Sequence, residues 1–457
     1  MKSPKIRSYL SVKKNRLLLY IIIIVAHYLI IPFTNNVTKD EQYSGETRLT
    51  VFQLNDFGSI FFSNDTYDQI TLTQKPNDVI NSFRNLRPLY IYTIGYPYKF
   101  FSYLINYFAE NFAPDQHKKI FSDKSKFHWY MIWGLYVLTN GIIIFILSYF
   151  IDSYFVPFKS ANSLTKILFS ISILIYIIQS NIVTIFLYSN TWQFFHLLIY
   201  PILLFTLTKT SKSAKPNVQL ISLFLGVLTL YYNAFVITFL SYLIFILVTQ
   251  KHKSHKVIFL FTSSVSYMFP IIIWISILNL FSDLNKSAEF DPNHKEWRLF
   301  IWVFDYINEV GVSGLVESIT LRLNIFANFF FHSVKYQLMY FLIIFIFCFS
   351  KKVHIVPLFK KEYDFFKISF IFILISSVFW FFMGIYSYRY LSSIPICLIF
   401  CNYRLLLTII EENKVYSNYF YFILVTISLH QFYLMFENGR IENILTLKGY
   451  ASIDPPF

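Results

Sequence analysis

Long apolar stretches, bounded by basic residues or polar turns, decide what this chain can fold into. Several reach the roughly 20 residues that a helix needs to cross the hydrocarbon of a bilayer. Of 457 residues, 56% are hydrophobic and only 14% are charged, and the mean hydropathy is +0.51. A water-soluble protein of this length would need far more polar surface. The sequence therefore predicts an all-α polytopic membrane protein.

Clusters of lysine and arginine orient the predicted helices, because short loops rich in these residues stay on the cytoplasmic side. Six of them precede the first apolar stretch, residues 17–33, and predict a cytoplasmic N-terminus. The later clusters at 209–215, 251–256 and 351–367 are assigned to the same side. This orientation accounts for the net charge of +14, so we expect membrane lipids and no nucleic acid among the partners.

These constraints give 11 membrane-spanning helices and a C-terminus on the outer side. The predicted spans cover residues 17–33, 129–151, 167–187, 194–207, 218–231, 234–248, 257–281, 336–349, 368–384, 391–410 and 420–436. Two outer loops are large, at about 34–128 and 282–335, within a single membrane domain of residues 1–457. The expected location is the inner (plasma) membrane of a bacterium, and the sequence leaves the oligomeric state open.

The stretch RNLRPLYIYTIGYPYKF, residues 84–100, is apolar but is not predicted to cross. If residues 88–109 spanned the membrane, every later basic cluster would move to the outer side. Lys99 would also cost roughly 2.5–3.5 kcal/mol at the bilayer centre. Gly95 and Pro97 weaken a helix that must satisfy its own backbone in lipid. We therefore expect an interfacial helix on the outer face, with large aromatic side chains at headgroup level.

Three acids lie close together in the first outer loop, in the stretch LNDFGSIFFSNDTYDQI. Asp56, Asp65 and Asp68 are candidates for a base that takes a proton from an attacking hydroxyl. Arg87 follows and suits a phosphate leaving group, because a guanidinium can donate two hydrogen bonds to it. Asp65 and Asp68 could share a divalent cation, but no compact ligand motif is present, so no cofactor is expected. The alternative is that these aspartates have no catalytic role and only keep the surface of the loop hydrated.

The order of these motifs resembles that of the GT-C glycosyltransferases. These are polytopic enzymes that transfer sugars from polyprenyl-phosphate carriers on the outer face of a membrane. The chain is similar to bacterial relatives of the protein mannosyltransferases and the aminoarabinose transferases in three features. These are an early acid in a large first loop, an R-P-x-Y segment that begins here at Arg87, and a late R-Y-L that begins at Arg389.

The resemblance implies a lipid-linked sugar donor and direct transfer with inversion to a lipid, glycan or protein acceptor. It implies that Asp65 is the base or its equivalent. Arg87 and the neighbouring Tyr90 would help to bind the substrate. Arg389 and Tyr390 would lie near the carrier phosphate, at the outer end of a helix. An arginine that only anchors its helix at the interface is an equally weighted alternative for Arg389.

One position departs from the family pattern. Many members carry a glutamate at the outer start of a middle helix, where this chain has Gln193 in YSNTWQFFHLL. An amide can form hydrogen bonds but cannot act as a base. His196 lies in the same predicted helix and is a second candidate for substrate binding, because ionisable residues in membrane helices are often functional.

Two other functions remain open from the sequence. An oligosaccharide-repeat polymerase would depend on arginines of the outer loops, here Arg298 and Arg322. A flippase or another transporter would place ionisable residues at mid-membrane depth and usually shows repeated halves. The predicted helices carry almost no charge and the sequence shows no internal repeat, which favours chemistry at the outer surface over transport.

The topology can be tested by labelling single cysteines in intact cells with a membrane-impermeant reagent. We expect a cysteine at Asn111 to react, because residues 34–128 are predicted outside. A cysteine at Ser350 should be protected beside the basic cluster 351–367. The opposite pattern would reject both the topology and the placement of the candidate site.

Overall fold

The computed structural model describes a mainly helical protein. It covers residues 14–15, 17–25, 49–55, 58–63, 72–82, 86, 88–112, 114, 126–155, 195–212, 218–249, 254–281, 301–383, 385–386, 390–413, 417–438 and 451–452. The helices, numbered here in chain order, are α1 Pro88–Phe112, α2 Lys126–Phe155, α3 His196–Lys212, α4 Val218–Tyr231, α5 Phe235–Thr249, α6 Ser254–Phe281, α7 Ile301–Ser350, α8 Ile355–Lys361, α9 Tyr363–Met383, α10 Ser393–Glu412 and α11 Ser417–Asn438.

Four segments are long and apolar enough to cross a membrane by length and composition. They are Lys256–Phe281, Ile307–Ser350, Tyr363–Met383 and Ser393–Glu412, and four shorter apolar helices lie in α2 to α5. This agrees with an integral membrane protein. The predicted span at 167–187 lies outside the described residues, and the total of 11 spans stays a prediction.

The all-α prediction missed a pair of strands in the first half of the chain. Strand β1, Leu49–Asn55, pairs antiparallel with β2, Gly58–Ser63, from Leu49↔Ser63 to Asn55↔Gly58. The segments LTVFQLN and GSIFFS are rich in β-branched and aromatic residues, and Asn and Gly favour the reversal between them. A second, two-residue pair joins β3, Ile385–Tyr386, to β4, Ala451–Ser452.

Helix α7 was only partly anticipated, because residues 301–335 were assigned to a large outer loop. The structure makes them helical and continuous with the predicted span at 336–349. One residue interrupts the helix: Gly311 has φ 80° and ψ −179°. The side chains of Trp302 and Arg322 nevertheless meet, with the guanidinium carbon 4.0 Å from the ring centroid. Twenty residues of straight helix would separate them by about 30 Å, so the chain folds back at Gly311.

Helix α10 is the centre of the bundle. Nearly all its side chains are buried, and it packs against α3, α7, α9 and α11. Hydroxyl and amide groups join these helices. Tyr200 of α3 and Ser369 of α9 form a hydrogen bond of 2.6 Å, and Asn402 of α10 donates one of 2.9 Å to the carbonyl of Gln337 in α7. By contrast, most side chains of α6 are exposed or half-buried, as expected for a lipid-facing helix.

Charged residues gather at one end of this bundle. Arg404 donates from two guanidinium nitrogens to one carboxylate oxygen of Glu362, at 2.9 and 2.8 Å. Lys361 pairs with Glu412 of the last turn of α10, and this hydrogen bond raises the pKa of the Lys361 ammonium group. Lys361 ends α8 and Glu362 immediately precedes α9, so both interactions join the α8–α9 connection to α10. This connection belongs to the cluster 351–367 that the sequence assigns to the cytoplasm. Because α9 has 21 residues, its other end lies about 30 Å away, close to the thickness of a bilayer's hydrocarbon.

A close contact between α4 and α6 depends on a glycine. A Cβ atom on Gly226 of α4 would lie 2.1 Å from the carbonyl oxygen of Tyr267 and 2.9 Å from Pro270, both in α6. Tyr267 also hydrogen-bonds to Thr229 and stacks on Phe239 at 3.9 Å. The small residue therefore lets two backbones approach, as is common between membrane helices.

We expect Gly226→Ala to lower the free energy of unfolding by about 1–3 kcal/mol, because the added methyl group overpacks this contact. Gly134→Ala is the matched control, since nothing lies within 4 Å of its added Cβ. The control should be neutral or slightly stabilising, by up to about 1 kcal/mol. Melting temperatures of the detergent-solubilised variants measure the difference. Equal melting temperatures would show that α4 and α6 do not approach in this way.

Candidate functional site

Several helix ends converge at the end of the bundle opposite the charged residues. The start of α3, the turn between α4 and α5, the last turn of α9 and the short 3-10 helix Tyr390–Ser392 before α10 all meet there. The arrangement follows from antiparallel packing, since α3 and α9 run in opposite directions. We call His196, Tyr232 and Trp380 the helix-end cluster.

His196 lies at the centre of this cluster and is fully buried. Its Nε2 shares a hydrogen bond of 2.5 Å with the hydroxyl of Tyr232. The imidazole also packs at 4.8 Å from the ring of Tyr232 and at 5.2 Å from that of Trp380. These contacts hold the imidazole in one orientation. A histidine held in this way can accept or donate a proton, or fix the geometry of a polar neighbour.

Tyr90, a predicted substrate-binding residue, lies in the core instead of in an open groove. Its ring packs at 5.6 Å from Phe195, the neighbour of His196, and at 5.9 Å from Tyr136 of α2. Thr73 shares a hydrogen bond of 2.9 Å with the Tyr136 hydroxyl in the same place. The R-P-x-Y segment is thereby joined to the residues beside the helix-end cluster, and a role for Tyr90 in substrate binding stays a prediction.

Helix α1 has a buried half and an exposed half. Gly95 lies against the 3-10 helix Pro76–Asn81, where an added Cβ would be 2.9 Å from Pro76. Burial, and to a lesser extent the nearby Tyr96, raises the pKa of Tyr92 to about 12, so its hydroxyl stays protonated at physiological pH. The second half exposes several large aromatic side chains, namely Phe100, Phe101, Tyr103, Tyr107, Phe108 and Phe112. Such a surface suits the predicted interfacial position.

The fold-back of α7 places an arginine beside the same end of the bundle. Trp302 donates a hydrogen bond of 2.9 Å from its indole nitrogen to the carbonyl of Phe382, in the last turn of α9. Arg322 lies over the Trp302 ring, and Phe326, one turn further along, contacts Phe381. The side chain of Arg322 is only 2% exposed. The sequence suggested a role for Arg322 only in the polymerase alternative and gave no sign of this contact.

Most of the predicted site residues lie outside the described part of the chain. They are Asp56, Asp65, Asp68, Arg87, Gln193 and Arg389, and the side chain of Tyr390 is also not described. The backbone of Tyr390 begins the 3-10 helix that contacts α3, α7 and α9. Among the described residues, no three His, Cys, Asp or Glu side chains form a group that could hold a metal ion.

No protein-family model, curated protein or solved structure matches this chain. The arguments below therefore depend on the residues and contacts of the chain itself.

We expect Tyr232→Phe to destabilise the helix-end cluster, because it removes the hydroxyl that bonds to His196 in a buried site. The cost should be about 1–3 kcal/mol, the usual range for a buried polar group that loses a partner. Melting temperature in detergent is the measurement. The neighbouring Tyr231→Phe is the control, since its hydroxyl bonds to Thr93 at an exposed position and should cost at most about 0.5 kcal/mol. A larger effect at Tyr231 would contradict the buried hydrogen bond.

Proposed function

We propose that this chain is a membrane glycosyltransferase that uses a polyprenyl-phosphate-linked sugar at the outer face. The acceptor is a lipid, a glycan or a protein. The hydroxyl of the acceptor gives its proton to Asp65 while its oxygen attacks the anomeric carbon. The bond from that carbon to the phosphate oxygen breaks, and the lipid phosphate leaves with the electron pair. Arg87 and Arg389 stabilise the negative charge on the leaving phosphate.

One observation supports this proposal: the described segments of two of its three motifs, R-P-x-Y and R-Y-L, meet at the same end of the bundle. The helix that begins with the R-P-x-Y proline packs through Tyr90 against Phe195, next to His196. The 3-10 helix that begins at Tyr390 of the R-Y-L motif contacts the helix that begins at His196. Tyr90 and Tyr390 are 300 positions apart in the sequence, yet their segments lie at the same end of the bundle.

The sidedness of this end supports chemistry at the outer face. The basic cluster 351–367 lies at the opposite end, and such clusters stay in the cytoplasm. In the predicted topology of 11 spans, the helix-end cluster therefore faces outward. There, a lipid-linked donor has its phosphate at headgroup level and its sugar in water, where the acceptor can reach it.

A second candidate function is an oligosaccharide-repeat polymerase, and the burial of Arg322 favours it specifically. Such an enzyme would use arginines of the outer segments to hold the phosphate of a lipid-linked glycan. The two candidates differ in the residue that matters most. The transferase depends on the carboxylate of Asp65, whereas the polymerase would tolerate its loss and depend on Arg298 and Arg322.

We expect Asp65→Asn to abolish sugar transfer without lowering the amount of folded protein. The amide keeps the shape of the side chain but cannot accept the proton, and the loss of a general base typically costs roughly 100- to 10,000-fold in rate. Transfer from a lipid-linked sugar by purified protein in nanodiscs is the measurement.

Asp56→Asn and Asp68→Asn are the matched controls, because both remove one negative charge from the same short stretch. They should retain most of the transfer activity. If one of them abolishes transfer and Asp65→Asn does not, the working acid has been assigned to the wrong position. If none of the three changes transfer while Arg322→Gln stops it, the polymerase is the better description.

A further inference from the structure

Arg322 is a buried cation whose hydrogen bonds are incomplete within the described part of the chain. Its Nε donates to the hydroxyl of Ser318 at 3.3 Å, and the guanidinium lies over the Trp302 ring. Its Nη1 is buried and has no hydrogen-bond partner there. A buried charge left with unsatisfied donors costs folding free energy. The site is therefore complete only when something else supplies acceptor oxygens.

No ion pair joins Arg322 to a carboxylate among the side chains that the structure describes. Glu317, five residues before Arg322, is exposed and lies on another face of the helix. Arg404, which is partly buried, shows the usual solution, because Glu362 accepts two of its hydrogen bonds. No described carboxylate neutralises Arg322 in this way, so its Nη1 is available to an acceptor that these residues do not supply.

The depth of Arg322 indicates what that acceptor is. Helix α9 has 21 residues and reaches about 30 Å from the charged end, which is the thickness of the hydrocarbon. Arg322 lies over the ring of Trp302, and Trp302 donates a hydrogen bond to the carbonyl of Phe382 in the last turn of this helix. Arg322 therefore lies where the phosphates of membrane lipids lie. A guanidinium fits a phosphate better than other cations do, because its planar donors match two phosphate oxygens.

We propose that Arg322 binds the phosphate of a lipid at this end of the bundle, with Trp302 covering the guanidinium when the site is empty. The segment Ile301–Val310 forms an arm that is joined to the rest of α7 only through the non-helical Gly311. Rotation at Gly311 would move Trp302 aside and expose Nη1 to a phosphate oxygen. This binding does not require the sugar transfer proposed above, although the phosphate of a lipid-linked donor would fit the same site.

The proposal is tested by measuring the affinity of the protein, solubilised in detergent, for four probes. Farnesyl phosphate is the lipid phosphate, farnesol is its uncharged counterpart, and dioctanoyl phosphatidylglycerol and inorganic phosphate represent a general headgroup and a free anion. We expect farnesyl phosphate to bind, farnesol to bind much more weakly, and Arg322→Gln to weaken the phosphate complex on the order of 10- to 100-fold. Lys335→Gln, which removes an exposed charge from the same helix, should leave affinity unchanged.

The probes also identify the source of the phosphate. Phosphatidylglycerol binding that is equally tight and equally dependent on Arg322 would assign the site to bilayer headgroups. Inorganic phosphate binding with the same dependence would assign it to a free anion, and both results retain phosphate recognition. Equal affinity of wild type and Arg322→Gln for every probe, or no binding of any phosphate, would overturn the proposal.

The ligand-free protein gives a second measurement. If Arg322 serves to bind a ligand and does not stabilise the fold, the Arg322→Met variant should melt at the same temperature as wild type or higher. An apolar side chain needs no hydrogen-bond partner at this buried position. A lower melting temperature would overturn the proposal, since it would show that Trp302 and Ser318 already compensate for the burial. Loss of phosphate binding in Arg322→Gln, with no sugar transfer by wild type, would reject only the transferase function. Transfer by wild type, with binding unchanged in Arg322→Gln, would reject only this inference.

Discussion

The hydrocarbon of a bilayer offers no hydrogen bonds, and this constraint determines where each polar group of the protein lies. Backbone groups are satisfied within helices, and side-chain hydroxyls bond across them, as Tyr200 does with Ser369. The buried helix α10 is possible because its one central amide, on Asn402, has a carbonyl partner in α7. Charged groups are left to the ends, where Arg404 meets Glu362.

The same constraint explains how well the helices could be predicted. The pair 218–231 and 234–248 was placed within one residue of α4 and α5, because basic clusters and polar turns bound each apolar run. Contacts between helices could not be predicted in this way, since apolar side chains fit many neighbours equally well. Only a local feature such as Gly226 marks a contact, and sequence alone does not name its partner. The strands Leu49–Asn55 and Gly58–Ser63 were missed because hydropathy does not identify short strands within a loop.

Some features of the candidate site could likewise be predicted from the sequence, and others could not. The motifs around Tyr90, His196 and Tyr390 were identified from residue types, and their segments do approach one another at one bundle end. What the sequence could not provide was the fold-back at Gly311. A glycine within a helical pattern is usually tolerated without a turn, so nothing in the sequence indicated that Trp302 and Arg322 meet.

Arg404 and Arg322 are both arginines of the helical bundle, but their partners differ. Arg404 is neutralised by Glu362, and its position is explained by the stability of the contact between α9 and α10. Arg322 has an aromatic ring and one hydroxyl, which offset only part of the cost of burying a cation. An apolar residue of similar size would fill the space between Trp302 and Ser318 at lower cost. The stability of the fold alone thus accounts for the first arginine and not for the second, which points to a ligand as the reason for Arg322.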